Sequence, residues 1–539
     1  MDRRAFCTRL SASALVFPAA GGPVPRTVAE KAAGVTPVDL HFPPGNVCRY
    51  GADPTGAKDS TAAFNAATFH DLEYSLEGLL NDIVVPSGTF KLDGTVYVRK
   101  GQRLHGAYAA TRIICNNSGK GPTFKLGWRF NGTRAEPDPG GQPLSLESLF
   151  LLGGPTAGCI DCTRVAGAVL KDLFISASAL AMRIDASADL NVENVIFDQG
   201  QVGIDIVGSE NCQFSLLKFY LLNYDVSVGA GAVDCQWSNC HSEYNRYSSI
   251  LFAERAEGIR DLKFTDWQFV YNPTSRAHYT TFAGAIHNRA PEVDARFDGC
   301  AFSNMPGYAY VHGTATGSRL RFSNCVFDGN RTSSTYSRST AAGALAIQDE
   351  AVSLDACTFR DLAVTPIRVG GAALTVLEIN GGDYARNGGE CFMEISNRSG
   401  DSGVRVAGLK GDARQPLLNS QPAVPVSVRN CADWFGPPRT SGERRSVLVP
   451  CQTGSLYQIV LHAEIPSRSG ARVRVSEMFV ARILTTTDRG SSIKIQNATD
   501  RAADGGETVA MRIEFAPSEA LAISWSAVCS AERLSIDMS

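Results

Sequence analysis

Phe322-Ser-Asn-Cys325-Val-Phe327 and Phe297-Asp-Gly-Cys300-Ala-Phe302 are two copies of one phrase. It returns along the chain as Glu193-Asn-Val195-Ile-Phe197, Lys171-Asp-Leu173-Phe-Ile175 and Leu146-Glu-Ser-Leu149-Phe-Leu151. With its fourth residue as marker, the phrase places Leu149, Leu173, Val195, Leu217, Cys240, Trp267, Cys300, Cys325 and Cys357 at intervals of 22 to 33 residues. A repeat of that length signals stacked supersecondary units. Within each unit apolar residues alternate at period two, which is the side-chain period of a strand and not of a helix. Asp, Asn and Gly fill the intervening positions. The pattern predicts an all-β chain wound as a parallel β-helix, whose successive coils stack the same position into columns.

Upstream, Tyr50-Gly-Ala-Asp53-Pro-Thr-Gly56 leads into Asp59-Ser60-Thr61-Ala-Ala-Phe64, a turn followed by a helix with Asp59 or Ser60 as its cap. These residues resemble the opening of the pectate-lyase-like superfamily of right-handed parallel β-helices, in the branch that includes rhamnogalacturonase- and epimerase-like enzymes and phage tailspikes. The resemblance is carried by residues 46 to 115 and continues as coil periodicity to about residue 430. It implies a right-handed single-stranded parallel β-helix over 46–435, closed at its start by a capping helix that shields unpaired strand edges. It implies no catalytic residue. The Asn-Thr-Asp, Asp-Asp and Gly-His-Gly signatures of polygalacturonases are absent, as is the Asp-Pro-His of the epimerases.

Residues 1–30 place Arg3-Arg4 before a short, weakly apolar stretch, which resembles a twin-arginine export signal and leader. The expected location is therefore exported, periplasmic or extracellular, in a bacterium. No later run is long enough to span a bilayer. After Trp434-Phe-Gly-Pro437-Pro438 the coil phrase stops. Alternating runs such as Leu456–Leu461 and Val473–Val480 then predict a smaller C-terminal β-sandwich-like domain over 445–539. A net charge of -3 gives no electrostatic reason to expect nucleic acid.

Of the 15 cysteines, Cys240, Cys300, Cys325 and Cys357 share the marker position and read as an inward core ladder. Cys212 and Cys235, one coil apart, are a candidate bridge in an oxidising compartment. Cys159-Ile-Asp-Cys162 lacks a second ligand pair at zinc-finger spacing, so no metal site is predicted.

Adjacent coils are separated by roughly 4.8 Å, so equal offsets from the marker form vertical columns. One stretch of wall is rich in titratable groups. Its columns hold Asn194, Asn239 and Asp266; Lys218, His241 and Gln268; and Asp198, Tyr220 and Glu243. Asp198 and Glu243, two coils apart at roughly 9.6 Å, lie at the upper edge of the spacing for inverting glycoside hydrolysis, about 6.5 to 9.5 Å. Asp328 and Asp361 on adjacent coils form a rival pair. Lys218, Tyr220 or His241 also suit proton abstraction beside a uronate carboxylate in a lyase, where calcium held by Asp266 and nearby oxygens would be the cofactor; a hydrolase needs none.

The long coils carry Tyr244, Arg246 and Tyr247, then Tyr271, Arg276 and His278, residue types that stack on sugar rings and pair with acidic groups. The expected function is an exported carbohydrate-active enzyme that cleaves a complex or acidic polysaccharide as a hydrolase or lyase. Glu243, Asp198, His241, Lys218 and Asp266 are its candidate catalytic residues. Tyr220, Tyr244, Arg246, Tyr247, Gln268, Tyr271, Arg276 and His278 are its candidate substrate contacts. The alternative is a tailspike-like or adhesive glycan-binding protein without catalysis, as a monomer or a homotrimer.

Overall fold

A computed structural model describes residues 23–411 apart from internal segments, the longest being 70–80, 272–282 and 330–342. Beyond residue 411 it describes the backbone of individual strands. Residues 1–22 of the predicted signal and leader, and the linker at Trp434–Pro438, lie outside the described residues.

From Gln236 each coil contributes three strands, while in earlier coils the second and third faces are joined in longer strands such as Asn191–Val207 and Lys218–Val228. Along the coils these strands pair in parallel with their equivalents before and after. The first face runs through Gln213–Ser215, Gln236–Ser238, Ile259–Thr265 and Val293–Asp298. The second runs through the start of Lys218–Val228, then His241–Glu243, Gln268–Val270 and Ala301–Ser303. The third continues through Ser248–Phe252, Ile286–Asn288 and Tyr308–His312. This is the parallel β-helix that the period and the alternation predict.

In-register stacking brings like side chains over one another at close to the strand spacing, so the core is built of ladders. Phe214, Trp237, Phe264, Phe297 and Phe322 stack at centroid distances of 4.7, 4.7, 4.7 and 4.9 Å inside the first face. Phe269, Phe302, Phe327 and Phe359 stack at 4.7, 4.9 and 5.1 Å inside the second. Such offset aromatic pairs add about 0.5–1.5 kcal/mol each beyond their buried area. The marker cysteines are buried inward, as a core ladder requires. Cys212 and Cys235 stand one coil apart beside the paired Gln213 and Gln236, and both are free thiols.

The coils turn where the backbone enters the left-handed region. The position before each marker does so at Asp172, Asn194, Asn239, Asp266, Gly299 and Asn324, all with φ between 51° and 64°. Asn and Asp tolerate this conformation because their short polar side chains bond locally, and Gly tolerates it because it lacks a Cβ. Asn194 Nδ2 donates to Asp172 Oδ1 of the coil below at 2.6 Å. The corners are thus tied to one another as well as turned.

At the N-terminal end the helix Thr61–Phe69 covers the first coil. Asp59 Oδ1 accepts from the Thr61 amide at 2.9 Å, while Ser60 Oγ accepts from the Asp53 amide at 2.9 Å. Arg49 and Glu30 are both fully buried beside this cap. Arg49 Nε and Nη2 donate to the two Glu30 oxygens at 2.6 and 3.0 Å, and the Tyr50 hydroxyl donates to Glu30 Oε1 at 2.9 Å.

Beyond residue 443 the strand direction changes. Leu456–Pro466 pairs antiparallel with Arg472–Arg482 and with Arg533–Met538, and Ala520–Ala527 pairs antiparallel with Arg444–Pro450 and Val509–Ala516. Among the described residues no helix is long and apolar enough to cross a membrane.

Candidate functional site

Strand registers define the wall. Asp198 opposes Tyr220, and Tyr220 opposes Glu243, with Ser176 below and Val270 above. In the adjacent column Lys218 opposes His241, and His241 opposes Gln268. Six of the predicted site residues therefore share one sheet face over four coils. Asp198 and Glu243 are separated by the Tyr220 rung, roughly 9.6 Å along the stack.

The contacts within this group are loose. His241 Nε2 lies 3.4 Å from Glu243 Oε2, and the Tyr220 and His241 rings are tilted with centroids 6.0 Å apart. The Ser176 hydroxyl donates to Asp198 Oδ2 at 3.4 Å. Burial raises the Asp198 carboxyl above its ordinary range, and the Ser176 hydrogen bond only partly offsets this. Burial likewise raises the Tyr220 phenol, and the carboxylates of Glu243 and Asp198 on either side push it further. An upward shift of a carboxyl is the direction a proton donor needs. A phenol pushed upward is poorly suited to act as a base.

Behind this face the core departs from its ladder. Between Phe219 and Phe269 the inward position is Ser242, which opposes both. The space it leaves is filled from the marker column by Trp267, whose indole packs 5.7 Å from Phe219 and 5.0 Å from Phe269. Trp267 Nε1 donates to Ser242 Oγ at 2.7 Å. Asp225 joins this group from the third face and is fully buried. Its Oδ2 accepts from Asn245 Nδ2 at 2.6 Å, and the same amide donates to Ser249 Oγ at 2.7 Å. Burial drives the Asp225 carboxyl up to about 8 against hydrogen bonds from Ser242, Asn245 and Ser249. Its Oδ1 is buried with no hydrogen-bond partner. Ser242 lies between His241 and Glu243 in sequence, so this network anchors the strand that carries both.

The remaining predicted residues are placed differently. Asp266 is one of the left-handed corner residues, and a Cβ at Gly299 above it would lie 2.5 Å from Asp266 Oδ1. Its position is accounted for by the turn. Among the described residues no three His, Cys, Asp or Glu side chains form a metal-holding group, so no step is assigned to calcium. Tyr244 occupies the corner after Glu243, with φ 63°. Arg246 and Tyr247 lie round that corner, where the Arg246 guanidinium sits 5.5 Å from the Tyr247 ring centre. Tyr271 is buried, 3% exposed, so its ring does not face a ligand on the wall. Arg276 and His278 lie outside the described residues. The rival pair dissolves: Asp328 opposes Arg360 and pairs with it at 2.8 Å, while Asp361 is a corner residue paired with Arg386 at 2.6 Å. One residue of difference in offset moves Asp361 off the face.

Three features escaped the sequence reading. Tyr224 lies past the bend that follows Tyr220, and its ring is 5.5 Å from Tyr247. Columns counted on the second face alone could not reveal it. Leu216 and Leu221 are 47% and 45% exposed and occupy the two corners of the Lys218–Tyr220 rung with φ 57° and 55°. A left-handed leucine costs about 1–2 kcal/mol. A signal existed for Leu216, since its corner column otherwise reads Asp, Asn, Asn, Asp, Gly, Asn from Asp172 to Asn324.

No protein-family model matches the chain, and no curated protein is significantly similar to it. Among solved structures it is similar to the tailspike of Pseudomonas phage phi297, at 11% identity over 92% of this chain and 98% of that one, with a TM-score of 0.43. It is similar to the catalytic unit of an alpha-1,3-glucanase from Streptomyces thermodiastaticus, at 13% identity over 72% and 69%, with a TM-score of 0.41. It is also similar to the A-module of a mannuronan C-5 epimerase from Azotobacter vinelandii, at 13% identity over 72% and 96%, with a TM-score of 0.37. No residue role passes from these proteins to this chain.

Proposed function

We propose that the chain is an exported, carbohydrate-active β-helix protein that binds a complex or acidic polysaccharide across the second face and cleaves it there. The observation that carries this reading is the in-register column Asp198–Tyr220–Glu243 beside Lys218–His241–Gln268. It gathers acids, a base, a cation and an amide on one exposed sheet.

In the hydrolytic form of the reaction Asp198, whose carboxyl is raised by burial, gives its proton to the leaving glycosidic oxygen. Glu243 takes a proton from the attacking water, and His241 at 3.4 Å steadies that carboxylate. The inverting geometry needs both carboxyls to lean toward the Tyr220 rung, since their rungs stand at the upper limit of the about 6.5–9.5 Å window. In the eliminative form His241 is the base, because Tyr220 holds its proton more tightly than an ordinary phenol. Lys218 would then neutralise the uronate carboxylate.

A polysaccharide panel read both for reducing ends and for unsaturated-uronate absorbance separates the two forms. Asp198→Asn and Glu243→Gln are each expected to lower turnover about 100-fold. Unchanged turnover in both would remove them from the chemistry. The second reading, glycan binding without cleavage, is favoured by one fact: Tyr220 fills the rung between the two carboxyls. Retention of a polysaccharide with neither signal would establish it, and light scattering would show whether the binder is a monomer or a trimer.

A further inference from the structure

We propose that Leu216 and Leu221 select sugars that carry a methyl group, either a 6-deoxy carbon or an acetyl, and so set the specificity of the wall at Lys218–Tyr220. The inference rests on the glycan reading of that wall and names its substrate class more narrowly.

Among the described residues the large hydrophobics that stand exposed are Val28, Val38, Tyr108, Leu216 and Leu221. Two of these five bracket a single three-residue rung, and it is the central rung of the candidate site. Both leucines also hold positive φ, and among the described positive-φ residues no other aliphatic side chain is larger than alanine. The structure thus bears backbone strain and exposed apolar surface together at two corners of one coil. Strain of this kind, once observed, points to function. A structural role explains neither leucine: Asn194 and Asn239 hold the Leu216 corner in the coils on either side, and Gln199 holds the Leu221 corner in the coil before.

The occupant follows from size and chemistry. A protein partner needs roughly 800 Å² of its own surface for a stable interface, which two leucines separated by Lys218 and Tyr220 do not offer in apolar form. Flat C–H faces of sugars are met by flat aromatic rings. Branched aliphatic ends set at the corners instead match a methyl projecting from the ring. The outward groups between them, Lys218 and Tyr220, with Glu243 and His241 on the next coil, are left to hydrogen-bond the hydroxyls. The leucines thus supply the apolar part of a contact whose polar part lies in the columns.

The experiment uses the full chain on an array of matched oligosaccharides bearing 6-deoxyhexose, acetylated hexose, or unmodified hexose and uronate. The methyl-bearing members are expected to bind about tenfold more tightly than their unmodified partners, and chemical deacetylation of the acetylated arm tells which methyl is read. Leu216→Asn and Leu221→Gln are expected to remove that preference. Leu216→Asn should melt no lower than the parent, because Asn suits the left-handed corner, so lost binding is not lost folding. If a bound glycan is held equally well by the variants, or if unmodified sugars are preferred, the leucine proposal falls and the glycan reading stands. If no oligosaccharide or longer polysaccharide is retained at all, the glycan reading falls and takes the leucine proposal with it.

Discussion

Between pH 5 and pH 8 the protein should lose roughly 3 to 4 kcal/mol of stability through one side chain, Asp225, and Asp225→Asn should abolish that loss. The Asp225 carboxyl titrates at about 8 in the fold because it is fully buried, against about 3.9 in an unfolded chain. Its folded pKa is raised, so the folded state holds a proton that the unfolded state has released throughout this interval. Stability therefore falls by about 1.4 kcal/mol per pH unit until the folded pKa is reached. The contribution is complete below about pH 4 and gone above about pH 8. Denaturant unfolding of both proteins at pH 5, 6.5 and 8 reads the effect as a difference, which cancels every other titrating group. Parallel pH profiles would mean that Asp225 is already charged in the fold. Because Ser242 ties this carboxyl to the His241–Glu243 strand, any glycan turnover should weaken over the same range in the parent and less in the variant.

Replacing Arg49 by Met should destabilise the capped end by about 3–5 kcal/mol, since it leaves Glu30 buried and charged without its partner. The guanidinium does more than pair with Glu30. Its Nη1 also donates to the carbonyls of Phe42 and Val24 at 2.8 and 3.2 Å, and its Nη2 to that of Pro25 at 3.1 Å. Although burial opposes it, hydrogen bonding from Arg49, the Thr27 amide and Tyr50 holds the Glu30 carboxyl down at about 2. A depressed carboxyl contributes stability that is full above its unfolded value and lost as pH falls toward 2. Acid should therefore narrow the gap between the parent and Arg49→Met. Arg49→Lys should recover little, because one ammonium cannot reproduce the planar fork. Hydrogen exchange over residues 46–69 locates the effect, and uniform exchange along the solenoid would show that this end is not a separate cap.

Parts of the wall were legible in the sequence for a simple reason. In Val195-Ile196-Phe197-Asp198, side chains alternate in and out at period two regardless of what they pack against. Counting from the marker therefore set Asp198, Tyr220 and Glu243 in one column, and Lys218, His241 and Gln268 in the next. The rival pair departed from that count by one residue. Position three after Cys325 is Asp328, but position three after Cys357 is Arg360, and Asp361 falls on the corner where Arg386 holds it. Asp266 reads as an outward carboxylate, yet its backbone angle marks it as a turn. Tyr271 reads as a loop aromatic, yet it is buried.

The chain's own text settles its winding, the inward ladders and the cap at Asp59–Phe69, because each depends on local alternation, a repeat length and a capping pattern within a few residues. The fold alone decides which outward groups meet, which are neutralised by a neighbouring arginine, and where a carboxyl such as Asp225 loses water. Those outcomes depend on residues a full coil or a different face away, and desolvation and pairing arise only when the coils close upon one another.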